Sequence, residues 1–265
     1  KFSVEKIYNS YSPFYVATAI YLLAFITACF GWIGLHQLWN RVSSSLIILG
    51  LGWQITGLIF RVIISGRPPV TNLYSSALFV SMGMVILMLI VERITKLGIG
   101  NVVASLGALL ALIWAWTMTI VDGDTFTVMV AVLDTQFWLS THVICISLGY
   151  SATFAAGMLG FAYLIGLLVT PAFATVQRRR SFVNLIYGIV CFGLFLSFFG
   201  TVLGGLWGDD SWGRFWGWDP KENGALMIVL WNAVVLHARW GGLVKDRGIA
   251  ALAVLGNVIV LWSWK

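Results

Sequence analysis

The sequence predicts an all-α fold: a polytopic transmembrane helix bundle with about eight spans, the last of them truncated. Of the 265 residues, 60% are hydrophobic and only 10% are charged, whereas soluble domains average about 25% charged residues. The apolar residues fall in runs that approach the roughly 20 residues needed to cross a bilayer. Because lipid cannot pair with backbone polar groups, such runs must be helical, and the alternation typical of a membrane barrel is not seen. This composition excludes a soluble globular protein and a disordered one.

The apolar runs follow one another with short connections between them. They cover residues 14–36, 43–64, 72–91, 101–120, 141–169, 182–206, 223–240 and 249–264. Small residues such as Gly149 and Gly160 inside these runs favour tight helix contacts. With no linker and no long internal repeat, one transmembrane domain over residues 1–265 is the simplest organisation. The chain starts at Lys1 and stops at Lys265 after an apolar run, so we expect a fragment of a longer protein.

Charge and cysteine usage exclude further classes. The net charge is only +6, and most basic residues stand singly in connections, which argues against a nucleic-acid partner. The three cysteines, Cys29, Cys145 and Cys191, each lie in an apolar run without a CxxC pair. This pattern indicates buried hydrophobic side chains rather than a metal site or a thiol–disulfide centre.

The connections also predict an orientation. Residues 170–181 and 239–248 are rich in Arg and Lys, whereas residues 121–140 and 207–222 are acidic. Since Lys and Arg concentrate in cytoplasmic loops, the basic connections should lie inside and the acidic ones outside. Arg67 is the exception, because this register puts it outside, and it therefore requires a partner.

The three histidines are isolated from one another. His142 should lie at the outer mouth of the fifth span, and His36 at the inner end of the first. His237 lies about 14 residues into the seventh span, roughly 21 Å deep. No HxxxH spacing favours zinc, whereas isolated imidazoles suit a flat cofactor such as haem, which takes one or two axial histidines. The alternatives remain helix-end residues for His36 and His142, and an interhelical hydrogen bond for His237.

Residues 207–222, here called the tryptophan segment, form the most informative connection. They hold four tryptophans and one phenylalanine with three glycines between them: Trp207, Trp212, Trp216, Trp218, Phe215, Gly208, Gly213 and Gly217. Aromatic belts are usually spread over many helix ends, whereas this concentration favours a platform on which a flat macrocycle stacks. The interfacial belt remains the alternative.

Asp219 permits two interpretations. The order Asp219, Pro220 and Glu222 is typical of an N-cap, a proline at the first helical position and a capping box. Alternatively, Asp219 belongs to a ligand site, where the positive end of the following helix would attract a ligand carboxylate. Arg214 could pair with such a carboxylate directly.

A second external loop, 66–72, reads GRPPVTN. Its two prolines fix the backbone, which is consistent with a rigid turn between spans. In the functional alternative, Arg61 or Arg67 meets an anionic group of a ligand.

Two longer stretches carry a family resemblance. WGRFWGWDPKEN, followed by LWNAVVLHARW, resembles the tryptophan-rich "WWD" haem-handling proteins, and in particular the CcsA (ResC) family, the membrane component of the System II cytochrome c synthase. GRPPVTNLYSS and FWLSTHV look like the same family, and the match runs from about Arg61 to the end. The related CcmC and CcmF proteins share a WWD motif, but WDPKE and GRPPVTN favour CcsA.

The resemblance implies a function and a site. The family moves haem b outward across the membrane and attaches it to the CxxCH motif of apocytochrome c, as a haem lyase. His142 matches an external axial ligand to the haem iron, and His237 matches an intramembrane ligand to haem in transit. The implied catalytic residues are His142, Trp212, Trp216, Trp218 and Asp219, and the implied haem-binding residues add His237, Arg214 and Arg67.

The implied partners are apocytochrome c, a CcsB-type partner or fused domain, and membrane lipid. The family's second external histidine would fall beyond the end of this chain. The implied location is the bacterial inner membrane with the tryptophan segment periplasmic, or the thylakoid membrane for a plastid protein. A CcmC-like haem delivery protein without ligation is the main alternative. A haem-carrying respiratory subunit is a weaker one, since only His237 is clearly intramembrane, and a solute transporter would require mid-membrane charges.

Overall fold

A computed structural model describes residues 2–33, 36–122, 125–126, 134–169 and 173–264. The described residues are mainly helical and contain no β-strand, which confirms the predicted all-α class. The helices are α1 (Phe2–Tyr11), α2 (Pro13–Ile33), α3 (His36–Ser65), α4 (Leu73–Thr95), α5 (Ile99–Asp122), α6 (Gln136–Trp138), α7 (Ile144–Val169), α8 (Val176–Trp212), α9 (Pro220–Trp240) and α10 (Asp246–Trp264).

Seven stretches of the described chain are long and apolar enough to cross a membrane, and the protein is a polytopic membrane protein. They are Ser3–Gly31, Gln37–Ser65, Leu73–Thr95, Ile99–Ile120, Gln136–Val169, Val176–Trp212 and Asp246–Trp264. The eighth predicted span, 223–240, does form helix α9, but it is not among the seven. Asn223, Asn232, His237 and Arg239 lower the mean hydropathy of this helix.

The helices form two compact units, residues 1–140 and 141–265. In the first unit α2 packs against α3 and α5, and α4 packs against α5. A buried hydrogen-bond chain links three of these helices: the Tyr21 hydroxyl donates to Gln54 Oε1 at 2.7 Å, and Gln54 Nε2 donates to the carbonyl oxygen of Leu78 at 2.9 Å. The single domain predicted from the sequence stays a prediction.

In the second unit α7 packs against α8 and α10, and α9 packs against α8 and α10. The predicted tight contacts at Gly149 and Gly160 are confirmed. A Cβ atom on Gly160 would lie 2.6 Å from the carbonyl oxygen of Ala250, and one on Gly149 would lie 2.5 Å from Ser197 Oγ. These close approaches fix the register of α7 against its two neighbours, and α7 follows directly on the turn that holds His142.

Some predicted features lie outside the described residues. These include nine of the twenty residues of the acidic connection 121–140, namely residues 123–124 and 127–133, and the side chain of His36.

Candidate functional site

His142 lies in a π-helical turn, Leu139–Val143, between α6 and α7. Such turns are rare, and they occur frequently at functional sites. Nδ1 of His142 lies 2.7 Å from the backbone carbonyl oxygen of Gly200 on α8. Since a carbonyl oxygen can only accept, Nδ1 carries the proton and Nε2 keeps its lone pair. This is the arrangement in which histidines bind metals, with the second ring nitrogen fixed by a hydrogen bond.

Glycines on α8 make room for the imidazole. A Cβ atom on Gly204 would lie 2.6 Å from Cε1 of His142, and one on Gly200 would lie 3.0 Å from the backbone nitrogen of Ile146. A contact of 2.6 Å is not tolerated between real atoms, so a larger residue at Gly204 would displace the ring. The position of His142 therefore depends on the absence of side chains on this face of α8.

Trp207 is a neighbour of His142 that belongs to the tryptophan segment but is not one of the haem-binding residues that the family resemblance implies. The ring centroids of the two residues are 5.7 Å apart. Trp207 is only 9% exposed, and within the described residues its indole N–H has no hydrogen-bond acceptor. The signal was present in the sequence, because Gly200, Gly204 and Trp207 recur at four- and three-residue intervals and so share one face of a helix.

The tryptophan segment is less of a loop than the sequence predicted. Helix α8 continues through Trp212, and only residues 213–219 connect it to α9. Gly213 ends α8 because it takes the left-handed conformation with φ +67°, and its N–H donates to the carbonyl oxygen of Asp209 at 2.9 Å. Glycine adopts this conformation without steric cost. The predicted start at 207 was therefore too early, since Gly208 does not interrupt the helix.

The short connection folds back onto α8, and it contacts residues in the same part of the helix that His142 contacts. A Cβ atom on Gly205 would lie 2.5 Å from the Phe215 ring, and one on Gly208 would lie 3.0 Å from the carbonyl oxygen of Arg214. His142 and Phe215 therefore pack against consecutive residues of α8, Gly204 and Gly205. The structure thus brings the predicted histidine and the tryptophan segment to the same turn of one helix.

Three aromatic side chains of this region remain solvent- or lipid-accessible. Trp212, Phe215 and Trp218 are 54%, 46% and 70% exposed. The rings of Trp216 and Trp218 are 6.0 Å apart and nearly perpendicular, at 86°. Trp218 has φ +60°, a conformation that bulky residues rarely adopt and that tends to mark functional sites. The exposed rings are available to contact a flat ligand.

Asp219 is the N-cap of α9, as the sequence pattern predicts. One of its carboxylate oxygens accepts from the backbone nitrogens of Lys221 and Glu222, each at 2.9 Å. The Glu222 carboxylate accepts in return from the backbone nitrogen of Asp219, which completes a capping box. This cap orients the last residues of the tryptophan segment relative to α9.

Arg214 pairs with Glu222 across the connection. Its Nη1 atom lies 3.4 Å from Glu222 Oε1, and the other oxygen of Glu222 accepts from the backbone nitrogen of Gly217 at 2.7 Å. The guanidinium occupies the space in which a side chain at position 217 would lie. Exposed ion pairs of this kind contribute at most about 1 kcal/mol, so Arg214 can exchange its partner at little cost.

His237 does not lie near the tryptophan segment. It lies near the end of α9, about 25 Å along the helix axis from Pro220. Its side chain is exposed, Nδ1 donates to the carbonyl oxygen of Ala233 at 2.7 Å, and the ring packs edge-on against Trp240. As in His142, the lone pair of Nε2 is left available.

Arg67 has the partner that the charge pattern required: it forms an ion pair with Asp134. Arg61, by contrast, is 3% exposed and is held by Ser75 Oγ and Thr125 Oγ1, each at 3.0 Å. Both arginines line a cavity of about 270 Å³ in the first unit, under the GRPPVTN loop. Arg61 therefore organises this loop, and Arg67 is the more accessible of the two.

A family model described as "Cytochrome C assembly protein" matches residues 70–263, a range that contains His142, the tryptophan segment and His237. The chain belongs to the cytochrome c assembly protein family. Two similar proteins are named "Cytochrome c biogenesis protein CcsA". One from Prochlorococcus marinus is 26% identical over 83% of this chain and 77% of its own. The one from Guillardia theta is 29% identical over 81% of this chain and 75% of its own length. These matches confirm the CcsA resemblance.

Other relatives are longer. Protein NrfI of Wolinella succinogenes is 30% identical over 90% of this chain, which spans only 27% of NrfI. A solved structure titled "Cytochrome c Heme Lyase CcmF" superposes with a TM-score of 0.68 over 94% of this chain and 45% of that one, at 15% identity. At this identity the likeness is one of fold. Membership in the family supports a role in cytochrome c biogenesis.

Proposed function

We propose that this chain handles haem in cytochrome c biogenesis: it binds haem b as a substrate at His142 and attaches it to the CxxCH motif of apocytochrome c. The observation that carries the proposal is the hydrogen bond from His142 Nδ1 to the carbonyl oxygen of Gly200, which leaves Nε2 for a metal. The tryptophan segment packs on the adjacent residue of α8 and presents exposed aromatic rings.

The residues around His142 fit a haem group. A single imidazole with a fixed tautomer is a common axial ligand of haem iron. The buried indole N–H of Trp207 lacks an acceptor within the described chain and could donate to a ligand. Trp212, Trp216 and Trp218 provide apolar contact for the ring, as the family resemblance implies. Arg214 would leave Glu222 and pair with a haem carboxylate. Arg67 is proposed as a further haem-binding residue only because the family resemblance implies it.

His237 is proposed as the ligand of haem in transit. It lies about 25 Å along α9 from the end where Trp218 and Asp219 lie, so one helix would connect an entry position with the outer platform. By the charge pattern, the tryptophan segment faces the outside of a bacterial inner membrane, or the lumen in a thylakoid. A CcsB-type partner or fused domain would complete the transit site.

Attachment requires positioning rather than acid–base groups. Each substrate thiol adds across a haem vinyl group: sulfur bonds to one carbon, the thiol hydrogen goes to the other, and nothing is released. His142 and the tryptophans would hold one reactant while apocytochrome c docks at the exposed surface. Such orientation alone can accelerate a reaction by many orders of magnitude.

The test uses the full-length protein expressed with an apocytochrome that carries CxxCH. We expect a low-spin haem spectrum of the purified protein and a covalent haem–cytochrome product on a haem-stained denaturing gel. H142G should lose both, and added imidazole should restore them in part. Haem bound without covalent product would favour the delivery protein, and an unchanged H142G variant would refute the site.

A further inference from the structure

The first unit contains a second, larger cavity that the proposed haem function does not use. It has a volume of about 1000 Å³ and lies between the beginning of α3 and the end of α4. Its lining includes Arg41, Ser44, Ser45, Glu92, Arg93 and Lys96. Three of these six residues are cationic and one is acidic.

The acidic residue, Glu92, already accepts hydrogen bonds from three donors of the protein. Glu92 is 5% exposed, and Oε1 accepts from Asn40 Nδ2 at 2.7 Å and from the backbone nitrogen of Gly98 at 2.9 Å. Oε2 accepts from the backbone nitrogen of Gly100 at 3.1 Å. Because these donors take up both oxygens, Glu92 fixes the start of α5 and forms no ion pair with the cations around it. Its charge offsets one of the three cations, so the lining keeps a net charge of +2.

The floor of the cavity is held together by hydrogen bonds. Asn101 is fully buried, and its Nδ2 atom donates to the carbonyl oxygen of Asn40 at 3.0 Å and to Ser44 Oγ at 2.9 Å. Together with Glu92, this network joins α3, α4 and α5 beneath the cavity. A preorganised polar floor lowers the entropy cost of binding.

The three cations have no acidic partner in the described residues. The side chains of Arg41, Arg93 and Lys96 are exposed, and the ion pairs in this part of the chain involve only Arg67 with Asp134 and Arg214 with Glu222. Three positive charges around one concave surface raise the local potential and attract an anion. Arginine in particular forms bidentate hydrogen bonds with phosphate oxygens.

Apolar side chains adjoin the cations on the same wall. Ile48 is 60% exposed and lines the cavity together with Leu89, and Ile90 and Ile94 of α4 are also exposed. Since α3 and α4 are membrane-spanning, this end of the helices lies where lipid headgroups meet acyl chains. Basic pockets between transmembrane helices are known to hold anionic headgroups.

We propose that this cavity binds the phosphate group of an anionic phospholipid, with Arg41, Arg93 and Lys96 around the headgroup and Ile48 and Leu89 beside the acyl chains. The proposal is independent of haem. Its rival is that the three residues are ordinary basic residues at a cytoplasmic helix end, where Lys and Arg accumulate without binding a ligand.

The matched control for this rival is the run Arg178–Arg180 near the beginning of α8. Removing it changes the net charge as much as removing Arg41, Arg93 and Lys96 does, and the first-unit cavity is left intact. The test therefore compares R41Q/R93Q/K96Q with R178Q/R179Q/R180Q in the full-length protein. The double variant R93Q/K96Q serves if the first triple variant does not fold.

Native mass spectrometry of delipidated protein would measure retention of added phosphatidylglycerol against phosphatidylcholine. At about 1 kcal/mol per basic residue, loss of three cations should weaken phosphatidylglycerol binding by roughly a hundredfold. We expect this loss in R41Q/R93Q/K96Q, a partial loss in R93Q/K96Q, and wild-type binding in the α8 control. Gel filtration and far-ultraviolet circular dichroism would verify folding.

Two results would overturn the proposal. An equal loss in both triple variants would assign lipid binding to general surface charge. Displacement of the lipid by millimolar inorganic phosphate, with no preference for phosphatidylglycerol, would make the ligand a free anion rather than a lipid.

Discussion

His142 is held by Gly200 and accommodated by Gly204, two residues on one face of α8. The carbonyl oxygen of Gly200 fixes Nδ1 of the imidazole, and the bare Cα of Gly204 gives the ring its space. The orientation of the Nε2 lone pair therefore depends on a residue that has no functional group. A substitution at Gly204 can therefore move the imidazole while His142 itself is kept. A substitution of His142 removes the imidazole, so the two effects can be tested separately.

The substitution G204A should displace His142 without removing it. The new Cβ would lie 2.6 Å from Cε1 of the imidazole, so the ring must move and its hydrogen bond to Gly200 weakens. We expect haem retained by the full-length protein to fall severalfold with an altered Soret band.

The control is G188A on the same helix, where a Cβ atom meets nothing within 4 Å. Alanine in a helix interior is favoured over glycine by about 1 kcal/mol, so G188A should raise the thermal midpoint slightly and leave the spectrum unchanged. Identical spectra for G204A and wild type would contradict the proposed geometry.

Asp219 can be tested as a cap and as a charge. D219A should lower the free energy of unfolding by about 1 kcal/mol, because it removes the oxygen that caps α9. D219N keeps an oxygen acceptor, and asparagine is as good an N-cap as aspartate, so its stability should be close to wild type.

Cytochrome maturation by the two variants then separates the roles. If Asp219 is only a cap, D219N matures cytochrome c normally, and D219A loses activity only in proportion to its folded fraction. A fully folded D219N variant that fails to mature cytochrome c would show that the charge itself is needed.

Local sequence patterns predicted part of this site. The capping box at Asp219 and Glu222 follows from four consecutive residues, because a cap is a local hydrogen-bonding problem. The extension of α8 to Trp212 was missed, since glycines spaced along a segment resemble a loop. In the structure Gly204, Gly205 and Gly208 are instead contact points inside a helix.

Tertiary contacts could not be predicted in the same way. The charge pattern showed that Arg67 needs a partner, but Asp134 lies 67 residues away, and nothing local identifies it. The proximity of Trp207 to His142 depends on the register of α7 against α8, which the close contacts at Gly149 and Gly200 set.

The pair of Arg67 and Asp134 permits a test of whether Arg67 contacts a ligand. Their side chains are 27% and 37% exposed, and pairs of this kind contribute at most about 1 kcal/mol. R67Q and D134N should therefore have similarly small effects on thermal stability.

Their effects on haem binding should differ. If Arg67 meets a haem carboxylate, R67Q weakens haem binding by severalfold in a titration, whereas D134N leaves the arginine free and binds haem at least as well as wild type. Equal haem affinities in R67Q and wild type would restrict Arg67 to a structural role.

The last prediction concerns Glu92, which the structure gives a purely acceptor role. Asn40 Nδ2 and the backbone nitrogens of Gly98 and Gly100 all donate to its carboxylate. E92Q would place an amide N–H₂ against one of these donors, and leaving a buried donor unpaired costs about 1–3 kcal/mol. We expect a clear drop in the thermal midpoint of E92Q, while substitution of the exposed neighbour Arg93 by Gln should barely change it. A fully stable E92Q variant would mean that the floor of the cavity can rearrange to satisfy the donor.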